Sequence, residues 1–562
     1  MFCSVDSNRA ALTHELLSRS HWHDPDFAFH ISVARAMREH PREAGPVIKK
    51  ELQQMLDKGV WHAVNTSQLS QAQRKSIIRS SMFLKEKFTA DGQFDKLKAR
   101  LVAGGDQQDK GLYDNLSSPT AATSSVMAVV ALAAHERRHA VVIDIGGAFL
   151  NADMAPTGVE VLMRLDRVMA GMLCLLHPSY KSSLEKNGTM VVMLDKALYG
   201  CVEAAALWYE DLRSKLIADG FEENPYDMCV FNKTVDGVQI TIVVHVDDLL
   251  VTSVEIILID TFGRYLRSVY PETKTNTGKV LNYIGMTFDF TVPGEVRVTM
   301  EHCISDILAG SGVTAAKPTP AADTLFDIRD NAPLAEEKDR GWFHTHVAKV
   351  LYLAKRVRPE CLVAVAFLST RVQTCNIDDL AKLRRLLGYL LGTRDRGIVL
   401  RIGSELVVKA FIDAAYGVHT GSGRSHTGCV IVLGDGGPVY AKSTKQKIVT
   451  KSSTEAELVA LSDFASQAIH MRNFLLGQGY KLGPAIVYQD NKSCMALIKR
   501  GGPGSERSRH IPIRYFWVHE RVELGELKVE HLGTAKMHVN CLSKAVQGKQ
   551  FAAERAGVTN WE

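Results

Sequence analysis

Two groups of carboxylates sit at the ends of apolar runs, where a charge is costly unless it holds something. In the first, Asp144 closes the segment VVID, and Asp247 and Asp248 stand side by side within ITIVVHVDDLLVTS. Three carboxylates at strand ends can hold two divalent cations. A cation pair about 3.5–4 Å apart activates a nucleophile and stabilises a leaving oxygen in phosphoryl transfer. Mg2+ suits that work, with Mn2+ as the alternative, because it accepts a few carboxylates and completes its shell with water and phosphate oxygens. In the second group, Asp413 ends AFID, Asp490 ends IVYQD, and Glu457 lies in the helical segment STEAEL. Two acids after strands and one on a helix can converge at one end of a sheet. Each group also has a plainer reading. An Asp-Asp pair forms solvated turns. Ser452 with Glu455, and Thr454 with Glu457, both have capping-box spacing, and Asp490-Asn491 could serve as an ordinary N-cap. The residues alone leave both readings open.

The elements that must position these acids follow from hydrophobic periodicity. Residues 1 to about 40 read as a polar surface helix leading into the fold, with His21 and His23 as ordinary surface residues or a weak metal pair. Helical spacing runs through VIKKELQQMLDKGV from Val47 to Val60. The alternating stretch MFLKEKFTADGQFDKLKARLVAGG reads as a hairpin turning at Asp91-Gly92. A helix in SSVMAVVALAAHERR then runs into the strand AVVIDIGGAFL, and AAALWYEDLRSKLIADG reads as an amphipathic helix. Two strands flank Asp247 and Asp248. Residues 300–400 read as largely helical, with Leu380, Leu383, Leu386, Leu387, Leu390 and Leu391 on one stripe. Beyond a boundary near residue 403 the pattern becomes β-β-β-α-β-α-β, with a hairpin at Gly434 to Gly437.

At 562 residues the chain is too long for one core, and 46% hydrophobic with 23% charged residues indicates a folded chain of several domains. The net charge of +5 permits a polyanionic partner without requiring one. Locally the charge is more telling: Arg74 to Arg100 carries eight basic residues against three acids. The ten cysteines show no C-x-x-C spacing, which points to reduced thiols and an intracellular setting, not to a zinc knuckle or disulfide framework. The N-terminal segment lacks the layout of a signal peptide. The most apolar stretch is broken by charges and too short to span a bilayer, so no membrane role is expected.

The motifs KARLVAGG, DIGGAFLNADM, KALYGCVEAAALWY, HVDDLL, LNYIGM, RPECLVAVAFLS, KSSTEAELVAL, DNKS and RSRHIPIRYFWVHERV occur in that order. Together they resemble the reverse transcriptase and RNase H region of copia-type LTR retrotransposon Pol polyproteins, over about residues 45 to 550. The resemblance implies an α/β (α+β) right-hand polymerase followed by an RNase H-like mixed α/β domain. Its expected divisions are a lead-in over 1–44, fingers and palm over 45–300, a helical thumb or connection over 301–403, and the RNase H-like domain over 404–562.

By position the resemblance makes Asp144, Asp247 and Asp248 the metal-binding carboxylates of the palm. Phe149 becomes the residue that excludes a ribose 2′-OH, and Lys98 and Arg100 become finger residues near the incoming triphosphate. Asp413, Glu457 and Asp490 become three of the RNase H acids. It implies an RNA template, a DNA primer, an RNA–DNA hybrid and deoxynucleoside triphosphates as partners. The chain departs from the pattern at several places, among them Ala205 and Ala206, which stand for a proline and an arginine. His245 stands for a tyrosine, Glu203 for a glutamine near the triphosphate, and Asn540 for the fourth RNase H acid. Asparagine offers one oxygen and no charge to a metal. The alternative reading is a decayed element fragment that keeps the fold and binds nucleic acid without catalysis.

Overall fold

The computed structural model describes residues 30–88, 94–114, 116–329, 331–503 and 511–561. His21, His23 and the Asp91-Gly92 turn lie outside the described residues. Among the described residues the polar lead-in departs from the expected helix at His30–Ser32, a strand paired with Phe83 to Lys85, and is helical over Val33–Glu39.

That strand belongs to the first of four sheets among the described residues. Its spatial order is His30–Ser32, Ile78–Phe88, Leu162–Leu165, Met190–Leu194 and Trp61–Ala63, with Phe94–Ala103 also paired to Ile78–Phe88. The expected helix ahead of it spans Ala44–Asp57 and buries Ile48, Leu52 and Met55 at helical spacing.

The second sheet is antiparallel and carries the first carboxylate group. Its order is Thr273–Asn276, His139–Ile145, Asp248–Ser253, Val238–His245, Asp227–Val235 and Glu222–Asn224. Both faces are covered. Val142, Val243 and Leu250 pack in one core with the helix Thr123–His135. Val141, Ile143, Ile242, Val244, Leu249 and Val251 pack on the other side with the helices Ala204–Ala218 and Ile256–Val269. A sheet buried on two faces needs apolar residues at every position, which explains the unbroken runs on either side of Asp247 and Asp248.

Residues 300–400 are helical over Glu301–Leu308, Glu337–Ala354, Leu362–Ser369 and Ile377–Leu391. The leucine stripe of the last helix is buried at Leu380, Leu383, Leu386, Leu387 and Leu390. A third sheet, Val280–Tyr283, Met286–Asp289, Val296–Thr299 and Ile398–Leu400, closes on a strand about a hundred residues further along the chain. No local pattern announces that pairing.

The fourth sheet has the order Pro438–Lys445, Arg424–Leu433, Val408–His419, Ala485–Gln489 and Leu527–His531. The first three strands are antiparallel and the last two join in parallel. The helix Ser453–Gly477 follows the hairpin strands, and Lys492–Arg500 and Trp517–Glu523 lie between the parallel strands. The packing is continuous across residue 403, since Leu386, Ile398, Leu400, Ile412 and Val430 share one cluster. The hairpin tip explains the close fit: a Cβ on Gly434 would lie 1.7 Å from the Ile402 carbonyl oxygen.

The fourth sheet's long helix also meets the second sheet. The Asn224 amide donates to Phe474 O at 2.9 Å, Gln239 donates to Gln478 O at 2.8 Å, and Arg138 reaches both Gln239 and Tyr480. Among the described residues no helix is long and apolar enough to cross a membrane.

Candidate active site

Asp247 sits at the tip of a two-residue turn between Val238–His245 and Asp248–Ser253, in which His245 pairs with Asp248. Val246 adopts φ 58°, a conformation that a β-branched residue rarely takes and that costs on the order of 1–3 kcal/mol. Two contacts hold the strained turn. Buried Trp208 donates from Nε1 to Val246 O at 2.7 Å, and Ile145 N donates to Asp247 O at 3.0 Å. Trp208 had no assigned role in the sequence. Its signal was only an indole inside an otherwise ordinary amphipathic helix.

Asp248 lies directly opposite Asp144 on the neighbouring antiparallel strand. Like charges at opposed positions destabilise a sheet. Burial pushes the Asp248 carboxyl up to about 7, with Asp247 and then Asp144 adding to the shift. Burial also raises Asp247, where Asp144 adds to the shift and Arg100 and Lys98 oppose it. Among the described residues none of the three is in an ion pair. Three partly desolvated oxygen donors without a cationic side chain between them have the chemistry a hard divalent cation accepts, although among the described residues their oxygens do not all close to within 4.8 Å of one another as those of the second group do.

The residues expected near a triphosphate converge on the same place. Lys98 and Arg100 lie on Phe94–Ala103, and burial followed by the neighbouring Arg100 holds the Lys98 ammonium below its usual range. The Arg100 guanidinium lies 4.1 Å from the Tyr199 ring centroid, and Tyr199 is 4.9 Å from Phe149. Tyr199 is fixed by close backbone approach, with Ala103 N donating to Tyr199 O at 2.7 Å. A Cβ on Gly105 would lie 2.0 Å from Gly200 O, so neither VAGG nor LYG tolerates bulk there. Glu51, on the helix Ala44–Asp57, accepts from Leu101 N at 3.1 Å and feels both Arg100 and Lys98. In the sequence Glu51 is one polar position of an amphipathic helix, with no local mark of its place against the basic strand.

Glu203 is buried, and its carboxylate accepts from Gln108 Nε2 at 3.0 Å and from the Tyr113 hydroxyl at 3.0 Å. Gln108 is itself tied to Val202 N at 2.9 Å. Glu203 is therefore taken up by neutral donors within the fold. His245 is partly buried and its Nδ1 has no hydrogen-bond partner, while burial and Arg356 hold its imidazole below the usual range.

The second group is tighter. Oxygens of Asp413, Glu457 and Asp490 all lie within 4.8 Å of one another. The capping ambiguity is settled by geometry. Ser452 caps Ser453–Gly477 by accepting from Glu455 N, and the Glu455 carboxylate accepts from Lys451 N at 2.7 Å. Glu457 instead reaches inward, accepting from Ala414 N at 3.2 Å and Gln489 Nε2 at 3.3 Å. Asn491 supplies the cap of Lys492–Arg500, leaving Asp490 to join the trio and accept from Thr534 at 2.8 Å. Burial, with Asp413 and Asp490 adding, pushes Glu457 up to about 8.

Beside this trio, Asp413 accepts from the Ser543 hydroxyl and from Lys544 Nζ at 3.1 Å. The same ammonium lies 3.3 Å from Asn540 Oδ1, and the Asn540 amide donates to Glu554 at 3.2 Å. Asn540 is thus at the edge of the trio, joined to Asp413 through a lysine.

A pH prediction follows from both sites. Asp248 and Glu457 bind protons more tightly folded than unfolded, since their carboxyls rise from 3.8 to about 7 and from 4.5 to about 8. Their stabilising contribution is complete below the unfolded values and is lost as pH rises through the folded ones. A divalent cation competes with those protons. Mg2+ is expected to raise the melting temperature more at about pH 8.5 than at about pH 5.5, relative to EDTA. Equal shifts at both values would show that these carboxyls do not bind the ion.

Residues 60–322 match the family described as "Reverse transcriptase (RNA-dependent DNA polymerase)". The chain is 27% identical over 551 residues to the Pol polyprotein from transposon RE1 of Arabidopsis thaliana, covering 95% of this chain and 36% of that polyprotein. It is 26% identical to the Pol polyprotein from transposon TNT 1-94 of Nicotiana tabacum, over 85% of this chain and 35% of that one. The Transposon Ty1-GR2 Gag-Pol polyprotein of Saccharomyces cerevisiae is 24% identical, over 89% and 28%. The chain spans about a third of the length of these relatives. Residues 60–322 are thus a reverse transcriptase domain, in a chain homologous along most of its length to Pol polyproteins of copia-type transposons.

Proposed function

We propose that the chain is an RNA-directed DNA polymerase that extends a DNA primer on an RNA template with deoxynucleoside triphosphates. The observation that carries this reading is the meeting of Asp144 and Asp248 across adjacent strands beside Asp247, with Lys98 close enough to feel Asp144 and Asp247, and Arg100 and Phe149 both against Tyr199. In this reading residues 45–300 are fingers and palm, 301–403 thumb or connection, and 404–562 an RNase H-like domain. The 3-2-1-4-5 strand order of the fourth sheet supports the last assignment.

Asp144 and Asp247 would hold the divalent cations, with Asp248 alongside, and the chemistry supplied there would be acidification of the primer 3′-hydroxyl and neutralisation of charge on the leaving pyrophosphate. The strained Val246 turn presents Asp247 at the hairpin tip, and Trp208 keeps it there. Arg100, oriented by its stack on Tyr199, offers a planar fork to phosphate oxygens, and Lys98 adds a compact charge. Phe149 lies under the sugar and leaves no room for a 2′-hydroxyl. Primer extension of oligo(dT) on poly(rA) with dTTP and Mg2+ tests the reading, and a chain with no such activity refutes it.

Phe149→Ala is expected to lower the preference for dTTP over UTP by about tenfold to a hundredfold, a pocket effect of roughly 1–3 kcal/mol. Single-nucleotide incorporation measures it. An unchanged ratio would make Phe149 a packing residue only.

A second reading applies to the C-terminal site, where Asn540 and the Lys544 ammonium on Asp413 favour hybrid binding with little cleavage. Asn540→Asp is then expected to raise cleavage of a labelled RNA–DNA hybrid by roughly tenfold or more. An unchanged rate shows that Asn540 is not the missing ligand.

A further inference from the structure

A cavity of about 360 Å3 opens where four elements meet: the start of Thr123–His135, the end of Glu337–Ala354, the strand Pro438–Lys445 and the helix Ser453–Gly477. Its lining includes Lys355, Arg356, Lys442 and His470, and no aspartate or glutamate. Among the described residues none of Lys355, Arg356 and Lys442 is in an ion pair. The three charges come from two chain segments far apart in sequence and are held together by the fold. Burial first, then Lys442 and Arg356, lowers the Lys355 ammonium, as expected of cations crowded without a counter-ion.

Arg356 is the best-fixed of the three. Its guanidinium stacks 3.7 Å from the Tyr352 ring centroid and donates to Tyr352 O at 3.3 Å, yet its buried Nε has no partner. Thr123 and Ser124 also line the cavity, and Ala122, at the N-cap, supplies no side-chain acceptor for the first N–H groups of their helix. The positive end of that helix adds to the field. The helix Thr123–His135, whose start lines the cleft, packs in one core with Val142, Val243 and Leu250 of the sheet that carries the Asp247 turn.

We propose that this cleft binds a phosphodiester of the nucleic-acid duplex, with Lys355, Arg356 and Lys442 as its phosphate contacts. The proposal rests on the polymerase reading above, which places a polyanionic duplex beside the Asp247 turn. Guanidinium and ammonium groups spread along an open cleft suit a backbone that passes through, and exposed Lys355 stands at its mouth. Repulsion among the three charges is then relieved only when nucleic acid is bound.

The test uses the full chain and a short RNA–DNA hybrid, with affinity measured by fluorescence anisotropy across a salt series. Lys355→Gln/Lys442→Gln is compared with wild type, with Lys355→Arg/Lys442→Arg, and with Lys186→Gln/Lys481→Gln, which removes the same charge from exposed positions elsewhere. In the cleft glutamine pair, the plot of log affinity against log salt is expected to become shallower by about two. The arginine pair and the distant pair keep the wild-type slope. The melting temperature of the cleft pair is expected to hold or rise, which separates lost contacts from lost fold. A slope equal to that of the distant pair overturns the proposal. So does a change confined to competition by inorganic phosphate, which would mark a free-anion site. Primer extension by wild type reports separately: hybrid bound through the cleft without extension refutes the polymerase reading and leaves the cleft standing.

Discussion

Asp247→Asn is expected to lower the rate of primer extension by about 10²–10⁴-fold, a barrier increase of roughly 3–5 kcal/mol. The substitution keeps shape and removes charge at the tip of the turn. Asp247 is held by its own backbone, through Ile145 N and the neighbouring Val246 carbonyl, so the asparagine should sit where the carboxylate did. Removing the charge also relieves repulsion with Asp144, so the metal-free variant should be at least as stable as wild type. Lost activity with retained or raised melting temperature is the signature of a ligand. Lost activity with a lower melting temperature would make Asp247 a structural residue.

Arg358→Leu is expected to destabilise the chain by about 3–5 kcal/mol, because it strands a buried carboxylate. Arg358 and Glu360 are 0% and 1% exposed. The guanidinium donates to Glu360 at 2.7 Å, to Thr393 O at 2.9 Å and to the Thr393 hydroxyl at 2.6 Å. It therefore ties the start of Leu362–Ser369 to the end of Ile377–Leu391, while Tyr389 also donates to Glu360 at 3.1 Å. Leucine satisfies none of these groups. Arg358→Leu/Glu360→Leu should recover most of the loss, since an apolar pair of similar volume avoids the desolvation cost. Urea melts of both variants check this. A single variant as stable as the double one would show that the pair is not what holds these helices together.

Arg358 illustrates what the sequence made legible. It stood within a recognised motif, yet nothing in RPECLV says that the arginine is buried, because its partner Thr393 is 35 residues away. The strands around Asp247 were legible because a doubly covered sheet writes apolar residues at every position. Helix starts were ambiguous where two glutamates shared capping spacing, and only the path of the chain sends Glu455 to the cap and Glu457 to the trio. The positive φ of Val246 was illegible, since a β-branched residue is the last one a turn rule would place there. Its cost is met by Trp208, a contact across 38 residues. Glu203 stood out in the sequence only as a carboxylate in place of a glutamine, because its donors, Gln108 and Tyr113, lie more than 80 residues upstream. The third sheet was missed for the same reason: Ile398–Leu400 completes it from far along the chain. Local chemistry was readable, and long-range pairing was not.

The central claim is that Asp144, Asp247 and Asp248 form a working polymerase centre. Its most direct test is the Mg2+-dependent addition of a single dTMP to oligo(dT) annealed to poly(rA), with wild type and Asp247→Asn prepared and measured side by side. Wild type is expected to add the nucleotide and the variant to fall at least about a hundredfold below it. Equal rates in the two preparations would contradict the account.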